Sequence, residues 1–342
     1  MKVTVVILNW NGKKILEKFL PSVVNHTLPY ASIVVADNAS TDDSIDFVNK
    51  NYPLVKIIRN SINEGFAKGY NSVLKQIDSE YYILLNSDVE VTANWIEPII
   101  AMMDNDSRIA AVQPKIKSFH DKAFFEYAGA AGGFIDKFSY PFCRGRILNF
   151  FEKDDGQYDD RKEIFWATGA CLFIKADIFH KVGRFDEDFF AHMEEIDLCW
   201  RIKNLGYKIM YCPESTVFHL GGGTLSKANS QKTFLNFRNN LILFCKNHTP
   251  QYFLIKLLLR FLLDGIAAFK FLFSGEPNHF FAVLKAHFYF YSSLKKTLVK
   301  RANLKKQISS YTKTGIYKRS IAFDYFIRGK RKFSELNPLL FD

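Results

Sequence analysis

Between residues 3 and 85 the chain repeats one pattern, a short and nearly unbroken apolar run followed by a segment of helical spacing. Nothing else in the sequence constrains the fold as strongly. Residues 3–8 (VTVVIL), 32–36 (SIVVA), 55–58 (VKII) and 82–85 (YILL) read as strands. Residues 14–24 carry helical spacing through Ile15, Leu16, Phe19 and Leu20, with a break at Pro21. Residues 42–49 make a second helix with Thr41 as its cap, and residues 63–77 a third that opens on glycine. Continuous rather than two-faced runs are strands buried on both sides. The expected class is therefore α/β, a mostly parallel central sheet flanked by helices.

In such a sheet, ligands sit outside the carboxyl ends of the strands. Those ends carry Asn9-Trp10-Asn11, Asp37-Asn38 and Asn86-Ser87-Asp88. One polar cluster of this kind is an ordinary turn. Three at equivalent positions predict a crevice bordered by Asn9, Asn11, Asp37, Asn86 and Asp88. A carboxylate beside the core is costly unless solvated, paired or on a metal, so Asp88 is a candidate cation ligand. No G-x-G-x-x-G follows the first strand and no Walker lysine motif is present, which excludes the usual dinucleotide and triphosphate cradles.

Further along, residues 110–114 and 171–175 read as strands, residues 198–204 as a helix, and residues 208–211 and 216–219 as two short strands before Gly221-Gly222-Gly223. Residues 119–161 are rich in glycine and aromatics and show no periodicity. The globular part is expected to end near Thr249-Pro250, giving a domain over 1–248 and an amphipathic, aromatic and basic helical region over 249–342. Residues 251–273 are apolar enough to suggest a bilayer span, but Lys256, Arg260 and Asp264 recur every fourth residue on one helix face. Charges at the centre of a span cost roughly 2.5–3.5 kcal/mol each. A helix lying in the membrane interface, or packed on the domain, fits better.

The net charge of +11 is unevenly spread, with a Lys- and Arg-dense stretch over 295–332, and 34 Phe thicken toward the C-terminus. Basic residues beside Phe-rich helices predict an anionic membrane surface rather than nucleic acid. The five cysteines, Cys143, Cys171, Cys199, Cys212 and Cys245, are odd in number and form no C-x-x-C pair. This argues against a disulfide framework or zinc site and for a reducing compartment. The apolar run in MKVTVVILNW is too short for a signal peptide and reads as the first strand.

Six motifs occur in order: VVILNWNG, VADNASTDDS, NEGFAKGYN, LLNSDV, FDEDFFAHMEEIDLCWR and FHLGGGT. Together they resemble the family-two glycosyltransferases of the GT-A (nucleotide-diphosphosugar transferase) fold, particularly rhamnosyltransferase-like members, over roughly residues 1–245. The resemblance implies an inverting transfer of sugar from a UDP- or dTDP-sugar to a saccharide or lipid-linked acceptor. It places Asp37 against the donor base, where a carboxylate can accept the imide N–H of uracil or thymine. As a simple turn residue, Asp37 would instead cap the following helix. Asn63, Gly65, Lys68 and Asn71 match the segment that closes over the nucleotide, although Lys68 also reads as a solvated surface lysine.

Asn86-Ser87-Asp88 takes the place of the family's Asp-x-Asp motif. Asp88 would then be the direct ligand of Mg²⁺ or Mn²⁺, with Asn86 near the ribose or a metal-bound water. His219 matches a position near the metal or diphosphate, and Arg238 one that neutralises the leaving group. Trp166 and Gly169 match the acceptor wall, with core packing as the alternative for the tryptophan. In His192-Met193-Glu194-Glu195-Ile196-Asp197 the family usually has Glu-Asp where this chain has Glu194-Glu195, so Glu195 is the expected base. Glu194 is its neighbour, and Asp197 orients the helix or acceptor; Asp197 and Arg201 also suit an ordinary i,i+4 pair.

Two other classes fit less well. An inactive nucleotide-sugar-binding scaffold is favoured only by the Glu-for-Asp change. A nucleotidyltransferase would want a Gly-rich basic signature that LNWNGKKILEKFL lacks. The expected setting is the cytoplasmic face of the cell membrane, in surface polysaccharide synthesis.

Overall fold

In a computed structural model of the protein, which describes residues 2–221, 229–308 and 310–341, the opening pattern forms β1 (Val3–Asn9), β2 (Ser32–Asp37), β3 (Lys56–Arg59) and β4 (Tyr81–Asn86). They lie in parallel in the order β4-β1-β2-β3. The connecting helices are α1 (Lys13–Thr27), α2 (Ser44–Asn51) and α3 (Gly65–Leu74). Val5, Ile7, Ile33, Val35 and Leu85 point to one face, where they meet Leu16 and Leu20 of α1 and Val48 of α2. Val6, Val34 and Leu84 point to the other and meet Ala67, Tyr70 and Val73 of α3. Burial on both faces is why the runs are continuous, and each buried aliphatic side chain contributes about 1.5–3 kcal/mol.

Two local readings change. Helix α1 continues through Pro21 to Thr27 instead of breaking. Helix α2 starts at Ser44 with Asp43 before it, because the Thr41 amide donates to Asn11 Oδ1 at 2.7 Å and holds Thr41 in the preceding loop.

The second half of the sheet is mixed. After β5 (Val89–Val91) and α4 (Glu97–Asn105), β6 (Ile109–Ser118) enters. Residues 119–161 hold β7 (Gly133–Asp136), β8 (Pro141–Cys143), β9 (Arg146–Ile147) and β10 (Phe150–Phe151), four strands of a separate five-stranded sheet. Then come β11 (Lys162–Glu163), β12 (Cys171–Lys175), α5 (Ala176–Lys181), α6 (Glu194–Asn204) and β13 (Lys208–His219). Strand β12 runs antiparallel between β4 and β6, and β13 lies parallel to β6. The two short strands expected over 208–219 are this one strand, with a register shift between Cys212 and Thr216 where Pro213 removes a ladder donor.

The C-terminal region is α7 (Ser230–Asn247), α8 (Phe253–Phe273), α9 (Pro277–Lys305), β14 (Ile316–Tyr317) and α10 (Ile321–Phe326). Helix α9 packs against α7 and α8, and β14 adds in parallel to β7. The aromatic wealth of residues 119–161 and of the tail now has one explanation. The Phe134 ring lies 5.0 Å from that of Phe333, and Tyr317 lies 4.9 Å from Phe341, in a shared core. Among the described residues no helix is long and apolar enough to cross a membrane.

The charged face of α8 turns inward. Arg260 and Asp264 are fully buried, 3.0 Å apart, and Arg260 also donates to the Phe138 carbonyl at 2.8 Å and to Asn240 Oδ1 at 2.6 Å. The Tyr140 ring lies 3.7 Å from the guanidinium, and its hydroxyl donates to Asp264 at 2.8 Å.

Candidate active site

Asp88 occupies the turn between β4 and β5, and its carbonyl accepts the Leu220 amide at 3.0 Å, which ties the turn to the end of β13. Asp88 Oδ1 lies 3.1 Å from His219 Nε2, and Nδ1 of the same ring is 3.0 Å from Glu126 Oε2. All three side chains are buried. Burial alone would lower the imidazole pKa, but the two carboxylates outweigh it and lift His219 to about 10. For Asp88, burial pulls the pKa upward, and the His219 contact more than reverses it, leaving it below the usual carboxylate value. Gly222 and Gly223, beyond His219, lie outside the described residues. Among the described residues no group of three His, Cys, Asp or Glu side chains is arranged as a preformed metal site.

The neighbouring strand ends are braced by their own side chains. Asn9 Nδ2 donates to Ser40 Oγ at 3.1 Å and Ser44 Oγ at 3.0 Å, while both Asp37 oxygens accept the Ser40 amide at 3.3 Å. Asn11 caps the Thr41 amide as described above. Asn38 is a hub the sequence reading did not single out. Its amide donates to Asn63 Oδ1 at 2.9 Å and the Gly65 carbonyl at 3.1 Å, and its oxygen accepts from Asn60 at 3.1 Å. Asn63 and Gly65 are thus fixed at the crevice. Lys68 pairs with Glu64 at 2.8 Å and is half-exposed. Asn71 is buried, and both ends of its amide hold the backbone of Phe185.

The second centre is the start of α6. His192 and Met193 both take left-handed backbone angles, φ 70° and 73°. For non-glycine residues this costs of order 1–3 kcal/mol each, and it persists only where the surroundings enforce it. Here Asn239 of α7 does so, donating to the Ala191 and His192 carbonyls at 2.8 and 2.7 Å. The turn delivers three carboxylates into three different settings. Asp197 is fully buried and saturated by Arg201 at 2.9 Å, Lys246 at 2.8 Å and Asn247 at 2.8 Å. Glu194 is buried with Oε2 unpartnered, and burial together with adjacent Glu195 raises its pKa well above normal. Glu195 is partly buried, also with an unpartnered Oε2, and burial pushes it up to about 7 against opposing backbone hydrogen bonds.

Gly169 connects the two centres. A Cβ added there would stand 3.1 Å from the Phe66 ring and 3.9 Å from Glu195 Cβ, and the adjacent Ala170 carbonyl accepts the Asn86 amide at 3.0 Å. Trp166 is buried and not at this surface. Its indole N–H donates to the Phe134 carbonyl at 2.9 Å, and its ring packs directly on Gly133. Arg238 lies between α7 and α9, 4.9 Å from the Tyr289 ring, and donates to the Asp188 carbonyl at 3.4 Å.

The sequence model for glycosyl transferase family 2 matches residues 4–183, more than half of the chain. The chain belongs to glycosyl transferase family 2. Its relatives include the N-acetylglucosaminyl-diphospho-decaprenol L-rhamnosyltransferase of Mycobacterium tuberculosis, 24% identical over 63% of this chain and 75% of the relative. A low-salt glycan biosynthesis hexosyltransferase of Haloferax volcanii is 20% identical over 70% of this chain and 74% of its own. Among solved structures, GalNAc-T7 with UDP, GalNAc and Mn²⁺ superposes with a TM-score of 0.55 at 21% identity, covering 71% of this chain and 47% of that one. The mannosyltransferase PcManGT from Pyrobaculum calidifontis, with GDP-Man and Mn²⁺, gives 0.53 at 15% identity over 90% of this chain and 85% of its own. These likenesses bear out the GT-A fold.

In this family-two glycosyltransferase the matched residues end before α6, so the carboxylates at 194–197 are placed by the fold alone. Sequence reasoning also missed Glu126 and the bracing pair Asn239 and Lys246. Glu126 lies in a stretch without periodicity, and its partner His219 is far along the chain, so no local signal marks it.

Proposed function

We propose that the chain transfers a sugar, with inversion, from a UDP- or dTDP-sugar to a hydroxyl of a saccharide or lipid-linked acceptor during surface polysaccharide synthesis, with dTDP-rhamnose as one candidate donor. Glu195 carries this reading. Of the three carboxylates at α6, Asp197 is saturated with donors and Glu194 is held toward its neutral form. Glu195 alone combines a free oxygen with a pKa near neutrality, the condition for an efficient general base.

In the reaction, the Glu195 carboxylate takes the proton of the acceptor hydroxyl. The freed oxygen pair bonds to the anomeric carbon as the bond from that carbon to the diphosphate breaks on the opposite face. Asp37 receives the base, and the braced segment from Asn63 to Gly65 covers the nucleotide, with a helix N-terminus suited to phosphate. Asp88, and His219 once it releases its proton, would offer a carboxylate oxygen and an imidazole nitrogen, a set that Mn²⁺ accepts more readily than Mg²⁺, which keeps to oxygen ligands. Such an ion supplies charge neutralisation for the departing diphosphate. Arg238, turned toward Asp188, adds positive potential from α7.

The relatives support the reading. One is named for a diphospho-decaprenol-linked acceptor, and two solved neighbours hold UDP or GDP-Man with Mn²⁺. Residues 1–248 form the transferase unit, and residues 249–342 hold it against the cytoplasmic face of an anionic membrane.

Calorimetric titration of UDP, dTDP and GDP with Mn²⁺, then with EDTA, into wild-type protein and Glu195→Gln tests this. Metal-dependent binding of UDP or dTDP by both proteins, with transfer lost only in the variant, is expected. Nucleotide binding by wild type without turnover of any donor points to a scaffold instead.

A further inference from the structure

The inward turn of Arg260 and Asp264 leaves α8 with an outward face of a different kind. Leu254, Leu258, Leu262, Ile266 and Phe269 stand in helical register along it, with Leu258, Leu262 and Ile266 at 66, 61 and 59% exposure. Nothing in the described chain covers them. The surface continues onto α10. Leu259 and Leu262 share a groove of about 360 Å³ with Phe323, and Lys270 of α8 lies 4.2 Å from the Phe326 ring. A contiguous apolar face of this extent marks an interaction surface.

The polar rim identifies the occupant. Lys137, Arg319 and Arg328 line the same groove. Arg328 is matched by Asp324 at 3.3 Å, but Lys137 and Arg319 form no ion pair among the described residues. The whole region over 249–342 carries 17 Lys and Arg against 5 Asp and Glu. Two copies of this chain meeting through the face would set like charges against each other. A layer that is apolar below and anionic above complements both features.

We infer that the α8–α10 face is a monotopic membrane-docking surface and that its groove binds one anionic phospholipid. The acyl chain lies along Leu259, Leu262 and Phe323, and the headgroup phosphate sits among Lys137, Arg319 and Arg328. The buried pair Arg260–Asp264 joins this face to the turn at Phe138 and Tyr140 and, through Asn240, to α7, so docking sets the orientation of the catalytic domain. This assignment rests on the membrane-facing reading given above and specifies which residues meet the lipid.

Flotation of the full chain with phosphatidylcholine vesicles, with and without phosphatidylglycerol, tests it. Wild type, Leu258→Asp/Leu262→Asp and Lys137→Glu/Arg319→Glu are compared, with UDP titration in the absence of vesicles as a control for folding and for the transferase reading. The leucine variant is expected to lose at least tenfold in apparent affinity for both vesicles. The charge variant should lose affinity only for the anionic ones, by at least about fivefold for each cation reversed. Wild-type flotation that both variants retain would leave the membrane reading standing and overturn this site. Absence of wild-type flotation overturns both, while UDP binding still reports on the transferase. A wild-type dimer that the leucine variant converts to monomer, with flotation unchanged, assigns the face to a second copy.

Discussion

His219 stands between two carboxylates drawn from distant parts of the chain, with Asp88 3.1 Å from one ring nitrogen and Glu126 3.0 Å from the other. Its folded pKa of about 10 lies above the ordinary 6.5. The pair's stabilisation is therefore complete below pH 6.5 and fades as the pH rises toward 10. In metal-free protein, Glu126→Gln should lower the unfolding free energy by about 1–3 kcal/mol at pH 6 and by less at pH 9.5, read by urea denaturation. A deficit that grows with pH contradicts the charge assignment. As Glu126 also aims the ring, Mn²⁺ affinity should fall roughly 10–100-fold.

Glu195 should dominate the pH profile. With its carboxyl raised to about 7, only the ionised fraction would serve in the proposed role of base. The value of kcat/KM is expected to climb about tenfold per pH unit below 7 and to level above it. Glu195→Gln should lose roughly 10²–10⁴ in kcat. Burial and the adjacent Glu195 raise the Glu194 pKa and disfavour its ionised form, so Glu194→Gln should keep more than a tenth of the activity. If the Glu194 variant is the dead one, the two roles are exchanged.

How much of this was legible follows from how local each signal is. The strands β1 to β4 and the clusters at their ends could be read because two-sided burial writes itself into consecutive residues. Asp88 stood out because a carboxylate at such a strand mouth needs a reason. The inward turn of Arg260 and Asp264 was not legible, because the helix period shows only that they share a face and not which side meets the protein. Trp166 was equally open, since a tryptophan near a motif carries no sign of the Gly133 beneath it. Asn38, Glu126 and Asn239 were missed because their partners are set by tertiary contact.

Gly65 is a second place where the backbone is the message. It has φ +71°, and an added Cβ would lie 2.7 Å from the Phe190 ring and 2.9 Å from the Phe190 carbonyl oxygen. That carbonyl accepts the Phe66 amide at 3.0 Å, joining the start of α3 to the segment leading into α6. Gly65→Ala should destabilise the fold by about 1–3 kcal/mol through the left-handed backbone and the contact. It should also weaken UDP binding beyond what the loss of folded protein explains. Thermal melts with and without UDP separate the two effects. A shift in melting temperature with unchanged nucleotide affinity would restrict Gly65 to packing.

Lys246 of α7 joins the loop before α6 to the helix itself. Its buried ammonium reaches Asp186 at 2.6 Å and Asp197 at 2.8 Å. Asp186 has a second cation in Lys300 of α9, which also reaches Asp188 at 2.7 Å, while Asp197 keeps Arg201 and Asn247. Removing Lys246 leaves two buried carboxylates short of charge, so Lys246→Met is expected to cost about 3–5 kcal/mol. Lys300 is partly exposed, and Lys246 remains in its absence, so Lys300→Met should cost about 1 kcal/mol or less. Because both lysines meet Asp186, the double variant should be less stable than the sum of the single losses predicts. Guanidinium unfolding of the three variants measures this. Simple additivity would mean that the carboxylate is held by its other neighbours and that α9 does not brace the approach to Glu195. Excess loss would place α9, and helix α8 packed against it, in mechanical contact with the turn that opens α6.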